Sequence, residues 1–353
     1  MNLKTNAKST LMKITCSVVG ARGYAGLELV KILSQHQNVE LKYCFATAKF
    51  EITDYLGSEK VSKIDCLLDS EIMTHLTDVV FLATPAEVSL KLAPQILAAG
   101  KRVIDLSGAF RLKSNDYAKW YGFEHTEKTW LEKSQYGLLP WVGPSGSQNL
   151  IANPGCYATA ISMALIPLIK SDVIDTDHIV IDAKSGATGA GKKASENLLF
   201  TEVDGECLPY KVGRHQHEPE ICEVVEAMTG KKIQPHMTTS LLPIRRGIIA
   251  GVYATLARGK TATDVENAFS KAYDGYSLVK HAALGKTSQL LSLKKVVGTP
   301  KVHISYEVVD QKLYVFSCID NLLKGAASQA VENLNRSFDW PVETGLNGME
   351  VLI

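Results

Sequence analysis

The chain has 353 residues, of which 46% are hydrophobic and 21% charged, and its formal net charge is +1. This length predicts two domains, and the composition excludes an intrinsically disordered chain. Because basic and acidic residues balance and are dispersed, nucleic acids and membrane surfaces are poor candidate partners, and a small-molecule ligand is the expectation.

The cysteines and the polar start of the chain indicate the cellular compartment. The sequence has seven cysteines, an odd number, with no CxxC pair and no Cys/His spacing of the kind that binds zinc. We therefore expect neither a disulfide framework nor a metal site. Residues 1–12, MNLKTNAKSTLM, lack the apolar core of a signal peptide, and the longest apolar stretch is too short to cross a bilayer. These features predict a cytoplasmic protein with a short frayed N-terminus.

Near the start of the chain, a strand, a glycine-rich turn and a helix follow one another. Residues 13–20, KITCSVVG, predict a buried strand, residues 27–36, LELVKILSQH, predict an amphipathic helix, and Gly20, Gly23 and Gly26 lie at the turn. Such a turn lets the backbone approach a pyrophosphate, which then lies at the helix N-terminus. The glycines alone also fit an ordinary tight turn, but their place between strand and helix favours a dinucleotide site.

Two further strands extend this pattern. The segment TDVVFLATP predicts a strand that ends at Thr84 and Pro85, a helix follows over residues 88–99, and RVIDLSGAF predicts a strand that ends near Ser107. This alternation predicts a Rossmann-type, doubly wound parallel sheet, whose ligand lies beyond the carboxyl ends of the strands. We therefore expect Thr84 and Pro85 to face the same crevice as the glycines, although each turn alone also fits an ordinary loop.

The end of the second strand, in LKYCFATAKF, indicates which dinucleotide binds. An NAD site usually has an Asp or Glu at this point, which binds the ribose 2′-hydroxyl. No acid is present here, whereas Thr47 and Lys49 are suited to hydrogen-bond and neutralise a 2′-phosphate. The sequence therefore predicts NADP(H) as the cofactor, with a solvated surface lysine as the alternative interpretation of Lys49.

In the middle of the chain, NPGCYAT, residues 153–159, places a cysteine after a proline and a glycine and before the apolar run AISMALIPLI. This pattern predicts that Cys156 lies at the N-terminus of a buried helix. Free backbone N–H groups and the helix dipole at such a position favour the thiolate and lower the pKa of a thiol. Cys156 is therefore a candidate nucleophile, and the alternative is a small buried cysteine that closes a turn.

The second half of the chain is rich in predicted strands. The segments are DHIVIDAKSG, TTSLLPIRRGIIAGVYATL, KVHISYEV and QKLYVFSCI, and the last two predict an antiparallel hairpin that turns at Asp310 and Gln311. They predict a second α+β domain with a mixed or antiparallel sheet, whose uncovered face would form a subunit interface. The last segment, NLLKGAASQAVENLNRSF, predicts one long helix that packs on the first domain. We therefore predict an NADP-binding domain (residues 1–155), a catalytic and oligomerisation domain (156–320) and a returning C-terminal helix (321–353).

Several segments, in order, are similar to those of one enzyme family. They are VVGARGYAGLELV, DLSGAFRL, NPGCYAT, AKSGATGAGKK, HQHEPEI, LLPIRRGI and DNLLKGAASQAVENLN. Together they resemble N-acetyl-gamma-glutamyl-phosphate reductase, a relative of aspartate-semialdehyde dehydrogenase, over residues 13–337. The chain has Ala109 where many members have aspartate, which bears on one polar contact and not on the family.

The resemblance implies catalytic residues. It places the family's nucleophile at Cys156 and its acid/base histidine at His217. His215 and Arg214 are equally available by residue type, so only the family register favours His217. An imidazole with a pKa near neutrality is suited to move the protons of such a reaction.

The resemblance also implies binding residues. Arg111 and Arg246 fall where anionic substrate groups are expected, because a guanidinium binds phosphate or carboxylate with two parallel hydrogen bonds. Surface ion pairs are the alternative for both arginines, and Asn153 of the nucleophile motif completes this substrate-binding set. The implied cofactor residues, in addition to those named above, are Gly20, Gly23, Tyr24, Gly26, Ser185, Gly186 and Asn321.

The implied activity is the NADPH-dependent reduction of N-acetyl-gamma-glutamyl phosphate to N-acetylglutamate 5-semialdehyde and phosphate, in arginine biosynthesis, through a cysteine thioester. A homodimer or homotetramer is expected. One alternative is a lysine-pathway reductase of a carrier-linked aminoadipyl phosphate, because one extra methylene changes binding by only about 1–3 kcal/mol. The other is a non-catalytic NADP-sensing protein, which would have no need of the cysteine, the base and the arginines.

Overall fold

The computed structural model describes residues 13–285 and 291–349, which form two sheets with helices packed against them. The predicted frayed segment, residues 1–12, lies outside the described residues. The α/β fold class, with one doubly wound parallel sheet and one mixed sheet, is confirmed.

The first sheet is parallel throughout and contains seven strands in the described residues. In chain order these are β1 (Ile14–Val19), β2 (Val39–Ala46), β3 (Asp65–Leu68), β4 (Val79–Leu82), β5 (Arg102–Asp105), β6 (Gln135–Tyr136) and β7 (Leu150–Ala152). Their spatial order is β3-β2-β1-β4-β5-β7-β6, so the winding reverses between β1 and β4. A ligand crevice is expected at this point, beyond the carboxyl ends of these two strands.

Helices cover both faces of the first sheet. The helices of this part are α1 (Tyr24–Leu33), α2 (Ala86–Ala98), α3 (Tyr117–Tyr121) and α4 (Lys128–Lys133). One apolar core lies under α1 and includes Leu29 and Leu33, and another lies under α2 and includes Ile96. Helix α1 begins before the predicted residue 27, because Gly23 caps it and the turn after β1 is short.

The second sheet is mixed and follows helix α5 (Cys156–Lys170) in the chain. Its strands are β8 (Val180–Gly186), β9 (Leu208–Pro209), β10 (His236–Leu242), β11 (Ile248–Thr255), β12 (Val279–Ala283), β13 (Val302–Val309) and β14 (Lys312–Ile319). The remaining helices are α6 (Phe200–Val203), α7 (His217–Thr229), α8 (Ala262–Tyr273), α9 (Leu293–Val296) and α10 (Ser328–Ser337). The spatial order is β12-β13-β14-β11-β8-β10-β9.

The predicted hairpin between β13 and β14 is confirmed. Asp310 and Gln311 both have positive φ angles, 47° and 66°, as expected for a two-residue turn that follows the right-handed twist of its strands. Strands β9 and β12 were not predicted, because short strands carry too little alternation to be read from one sequence.

Helix α5 forms the centre of the second core. All its residues from Tyr157 to Ile169 are buried, and they pack against β11, β14, α7 and α8. Because the helix is apolar on every side, its position is fixed by packing rather than by one amphipathic face. Its first residue, Cys156, is consequently held by the core that follows it.

The C-terminal segment differs from the single long helix that the sequence predicts. A π-helical turn, Leu323–Ala327, precedes α10. Leu323, Ala330 and Leu334 join the core under α1, so this segment packs on the first sheet. The domain boundaries at residues 155 and 320 stay a prediction.

A buried ion pair holds the π-helical turn against α10. Lys324 Nζ donates to both carboxylate oxygens of Glu332, at 2.8 and 2.7 Å, and both side chains are fully buried. The hydroxyl of Tyr276 donates to the same carboxylate at 2.7 Å. Burial lowers the pKa of Lys324 and raises that of Glu332, and the charge of each partner opposes the shift of the other. Each charge therefore depends on its partner.

We expect Lys324→Met to lower the free energy of unfolding by about 3–5 kcal/mol, because it leaves the carboxylate of Glu332 buried without its counter-charge. Urea denaturation followed by circular dichroism measures this change. Lys232→Met is the matched control, since Lys232 pairs with Glu226 at 3.8 Å and is 82% exposed. That control should cost less than about 1 kcal/mol. Equal small costs for both variants would contradict the expectation.

Candidate active site

The glycine-rich turn after β1 closes tightly against the end of β4. Gly20 has a φ of 80°, and a Cβ at this residue would lie 2.4 Å from the carbonyl oxygen of Ala83. A residue with a side chain does not fit there. Gly23 caps α1 without a side-chain hydrogen bond, so the first N–H groups of α1 are available to an anion. The turn therefore fits the pyrophosphate of a dinucleotide.

The other residues predicted on the nucleotide side lie along the same edge of the first sheet. Thr84 follows β4 and its hydroxyl contacts that of Ser89 at 2.8 Å, while Pro85 caps α2. Thr47 and Lys49 follow β2 and are exposed. Their predicted contacts with a 2′-phosphate stay a prediction.

Tyr24, in the first turn of α1, is contacted from the second half of the chain. The ammonium of Lys192 lies 5.3 Å from the centre of the Tyr24 ring and 4.9 Å from that of Tyr55. The loop after β8 therefore reaches the nucleotide edge of the first sheet. This cation–π contact joins residues far apart in the chain, so no local sequence pattern predicts it.

Ser185, Gly186 and Asn321 lie together at the ends of β8 and β14. Asn321 Oδ1 accepts the N–H of Gly247 at 2.8 Å, and its Nδ2 donates to the hydroxyl of Thr188 at 3.0 Å. The hydroxyl of Ser185 donates to the carbonyl of Gly186 at 3.0 Å. Asn321 thus fixes the turn after β8, and Ser185 and Gly186 line the cavity described next.

A cavity of about 800 Å³ contains both predicted catalytic side chains. Cys156 is the first residue of α5 and His217 is the first residue of α7, so two helix N-termini face one space. A Cβ on Gly155 would lie 2.3 Å from Nε2 of His217. Only glycine lets the imidazole approach the backbone beside the nucleophile this closely.

His217 is enclosed by other rings. Its ring centre lies 4.8 Å from that of His215 and 6.1 Å from that of Tyr157, and its backbone N–H donates to Nδ1 of His215 at 3.2 Å. Its own Nδ1 has no hydrogen-bond partner among the described residues. Burial, and then the charges of Arg111 and Lys211, hold the pKa of His217 well below its usual value. The lowered pKa differs from the expected near-neutral value and favours a neutral imidazole.

Burial also decides the protonation state of Cys156. The sequence predicts a lowered pKa at a helix N-terminus, but burial raises the pKa of the Cys156 thiol to about 11. The backbone N–H groups of Tyr157 and Cys156 and the charge of Arg111 act in the opposite direction and do not outweigh the loss of solvent. The predicted direction is wrong, and the resting pair is a neutral thiol beside a neutral imidazole.

Arg111 lies near this pair but is already bound. Its Nε donates to the carbonyl of Asn153 at 2.7 Å and its Nη2 to the carbonyl of Leu106 at 2.6 Å. Its Nη1 lies 3.6 Å from the carboxylate of Glu220, and both side chains are almost completely buried. Arg111 therefore orders the backbone before the nucleophile, and its predicted contact with substrate stays a prediction.

Glu220, which the sequence does not single out, connects helices α5 and α7. Its Oε1 accepts the N–H of Gly155 at 2.8 Å and the hydroxyl of Tyr136 at 2.7 Å. Glu220 lies three residues after His217, on the same side of α7. The i, i+3 spacing in HEPE was the available signal, but the sequence cannot show what such a carboxylate contacts.

Asn153 and Arg246 are also bound within the chain. Asn153 Nδ2 donates to the carbonyl of Ala326 at 3.2 Å, and its Oδ1 accepts from Asn333 at 3.1 Å. Arg246 pairs with Glu28 at 2.6 Å and Asp320 at 2.9 Å. Their predicted contacts with substrate stay predictions.

The chain resembles known proteins over nearly its whole length. Residues 15–149 match the family described as semialdehyde dehydrogenase, NAD binding domain, and residues 156–321 match semialdehyde dehydrogenase, dimerisation domain. An N-acetyl-gamma-glutamyl-phosphate reductase from Streptococcus thermophilus is 40% identical over 338 residues, 94% of this chain and 97% of that protein. The chain belongs to the N-acetyl-gamma-glutamyl-phosphate reductase family. A member from Staphylococcus saprophyticus is 35% identical, with 94% and 98% of the two chains covered.

Solved structures support the fold. Aspartate semialdehyde dehydrogenase II from Vibrio cholerae, complexed with ASA, superposes with a TM-score of 0.68 at 16% identity, covering 93% of this chain and 99% of that one. Aspartate semialdehyde dehydrogenase with NADP from Candida albicans gives 0.67 at 12% identity, with 93% and 99% covered. At such identities the likeness establishes the family's fold alone.

Within residues 13–285 and 291–349, no helix has the length and apolar character needed to cross a membrane. The same residues contain no group of three or more His, Cys, Asp or Glu side chains placed to hold a metal ion.

We expect alkylation of Cys156 by iodoacetamide to become about tenfold faster for each pH unit between pH 7 and 9, because the thiolate fraction of a thiol with a pKa of about 11 rises in that proportion. Mass spectrometry of the peptide that contains Cys156, with Cys156→Ser as the control, measures the rate. A rate that is already constant above pH 7 would contradict the neutral-pair description.

Proposed function

We propose that the protein reduces N-acetyl-gamma-glutamyl phosphate to N-acetylglutamate 5-semialdehyde and phosphate with NADPH, a reaction of arginine biosynthesis. The supporting observation is that Cys156 and His217, each the first residue of a helix, share one cavity. Ser185 and Gly186 line the same cavity from the side of the dinucleotide edge. The proposed substrate follows from the names of the relatives, and the proposed reaction follows from the side chains that line the cavity.

A bond between the sulfur of Cys156 and the carbonyl carbon of the substrate forms in two linked events. Neutral His217 takes the proton of the Cys156 thiol, and the thiolate attacks the carbonyl carbon of the acyl phosphate. The C–O bond to phosphate breaks, phosphate leaves, and a thioester remains on Cys156. The backbone N–H groups of Cys156 and Tyr157, which lower the thiol pKa, stabilise the thiolate during the attack.

Bound NADPH supplies the hydride that reduces the thioester carbonyl. Gly20, Gly23 and Gly26 form the turn that would hold its pyrophosphate, and Thr47 and Lys49 are exposed where a 2′-phosphate would lie. His217 then returns its proton as the carbon–sulfur bond breaks, and the aldehyde and the free thiol form together.

Arg111 and Glu220 act as positioning residues in this proposal. Glu220 binds the N–H of Gly155 and lies on the helix that begins with His217, so it sets the distance between base and nucleophile. Arg111 fixes the carbonyl of Asn153 on the other side of the same turn. A displacement of about 1 Å between reacting groups lowers the rate by up to about 10²-fold. The contacts of Glu220 and Arg111 therefore matter for the rate because they hold this distance.

The experiment that tests this function is a phosphate-dependent NADP⁺ reduction assay with N-acetylglutamate 5-semialdehyde. We expect turnover, a clear preference for NADP⁺ over NAD⁺ at equal concentration, and a loss of about 10²–10⁴-fold in kcat in His217→Asn with little change in NADPH binding. No turnover with this aldehyde, and turnover with the aminoadipate semialdehyde instead, would favour the lysine-pathway alternative.

Two further histidine variants distinguish a loss of proton transfer from a loss of packing at the site. His236→Asn changes an exposed histidine on β10 and should leave kcat unchanged. His215→Asn removes the acceptor of the His217 N–H, so we expect a smaller loss than for His217→Asn. If His215→Asn abolishes turnover and His217→Asn does not, the base must be reassigned to His215.

We also propose that the active protein is a homodimer or homotetramer formed through the second sheet. Tyr253, Tyr314 and Phe316 form an aromatic cluster with ring centres 5.9 and 6.1 Å apart, and they alternate with the residues that face α5. They therefore lie on the opposite, partly exposed face, in a region whose family description is a dimerisation domain.

Sedimentation velocity at assay concentration should show a dimer or larger species, and Phe316→Glu should shift it towards the monomer. An active monomer of the unmodified protein would contradict this part of the proposal. A cytoplasmic location belongs to the same proposal, because all seven cysteines are free thiols, and cell fractionation tests it.

A further inference from the structure

The structure leaves the anionic groups of the substrate without their predicted partners. Two of the three nitrogen atoms of Arg111 donate to backbone carbonyls, and the third faces Glu220. Arg246 is paired with Glu28 and Asp320. A substrate that carries a carboxylate and a phosphate needs a cationic group that is not already neutralised in this way.

Lys211 is such a group in the cavity of Cys156 and His217. Of the described residues that line this cavity, it is the one lysine or arginine. Its Nζ donates to Oε1 of Gln216 at 2.7 Å, a neutral partner that leaves the positive charge uncompensated. Gln216 directly precedes His217, so the ammonium lies beside the start of α7.

The positive charge of Lys211 acts on the two histidines of the cavity. Its charge contributes to the lowered pKa of both His215 and His217. Lys211 is exposed to solvent, and its partial burial lowers the pKa of its ammonium.

The backbone at Lys211 is held in an uncommon conformation. Its φ is 46°, in the left-handed region that residues with a Cβ rarely adopt. The carbonyl of Lys211 accepts the N–H of Arg214 at 2.9 Å, and Gly213 in the same turn also has a positive φ, 64°. Such residues cluster at ligand sites, where strain is maintained because it fixes the direction of a side chain.

We propose that Lys211 is the substrate-anion residue of this site, and that its ammonium binds the carboxylate or the phosphate oxygens of the acyl phosphate. This proposal rests on the function proposed above. An incoming anionic oxygen replaces the amide oxygen of Gln216 as the acceptor of the ammonium, so one neutral hydrogen bond within the chain is exchanged for a charge-assisted one. Glu202 also lines the cavity, and its negative charge disfavours anions elsewhere on the wall.

The test uses Lys211→Met in the phosphorylating direction, with semialdehyde, inorganic phosphate and NADP⁺ varied in turn. We expect KM to rise about 10–100-fold for one anionic reactant, which corresponds to the loss of one charge-assisted hydrogen bond. A rise for phosphate alone assigns Lys211 to the phosphate, and a rise for the semialdehyde alone assigns it to the carboxylate. Lys211→Arg should retain most of the affinity, and KM for NADP⁺ should not change.

Arg214→Met is the matched control, because Arg214 is exposed in the same turn and does not line the cavity. Unchanged KM values for both anions in Lys211→Met, or a fall in kcat alone, would overturn the proposal, since either result means that Lys211 acts only through His217 or not at all.

If the unmodified protein shows no turnover, the proposed function fails, and calorimetric titration of inorganic phosphate and of N-acetylglutamate still tests Lys211. Binding by the unmodified protein that Lys211→Met weakens at least tenfold supports the anion site by itself. Absence of binding, or equal binding by both proteins, overturns it.

Discussion

The carboxylate of Glu220 is the constraint on which the catalytic geometry depends. It accepts hydrogen bonds from Gly155 and Tyr136 and lies against Arg111, so one buried side chain connects the first sheet, α5 and α7. A buried carboxylate is costly unless it is paired and hydrogen-bonded; here Oε1 accepts both hydrogen bonds, and Oε2 has the guanidinium of Arg111 at 3.6 Å. Because α5 starts beside Gly155 and α7 carries Glu220 one turn after His217, Cys156 and His217 cannot separate without breaking this contact.

The C-terminal segment supports the same turn from the opposite side. Asn333 Nδ2 binds both the carbonyl of Gly137 and the side chain of Asn153, and Asn153 also reaches the carbonyl of Ala326 in the π-helical turn. A Cβ on Gly325 would lie 2.7 Å from the Cβ of Cys156. Cys156 therefore lies between two buried polar networks, one on α7 and one on the returning segment, and neither is contiguous with it in sequence.

Local patterns predicted the parts of the fold and the site that depend on a few neighbouring residues. The turn at Gly20, the hairpin at Asp310 and Gln311, and the start of a helix at Cys156 all follow from glycine, turn residues and apolar periodicity. The protonation states did not follow, because burial of Cys156 and His217 is set by residues far apart in sequence. For the same reason the sequence could not reveal that Arg111 and Arg246 are bound within the chain, or that Glu220 and Lys211 lie where they do.

The raised pKa of Cys156 lowers the rate at which its thiol is oxidised when no substrate is bound. A thiol with a pKa of about 11 is ionised in only about one molecule in 10⁴ at pH 7. Oxidation by peroxide proceeds through the thiolate, so the resting thiol of Cys156 is poorly susceptible to sulfenic acid formation. In the proposed mechanism, burial keeps the sulfur of Cys156 protonated until His217 takes its proton in the presence of a bound acyl group.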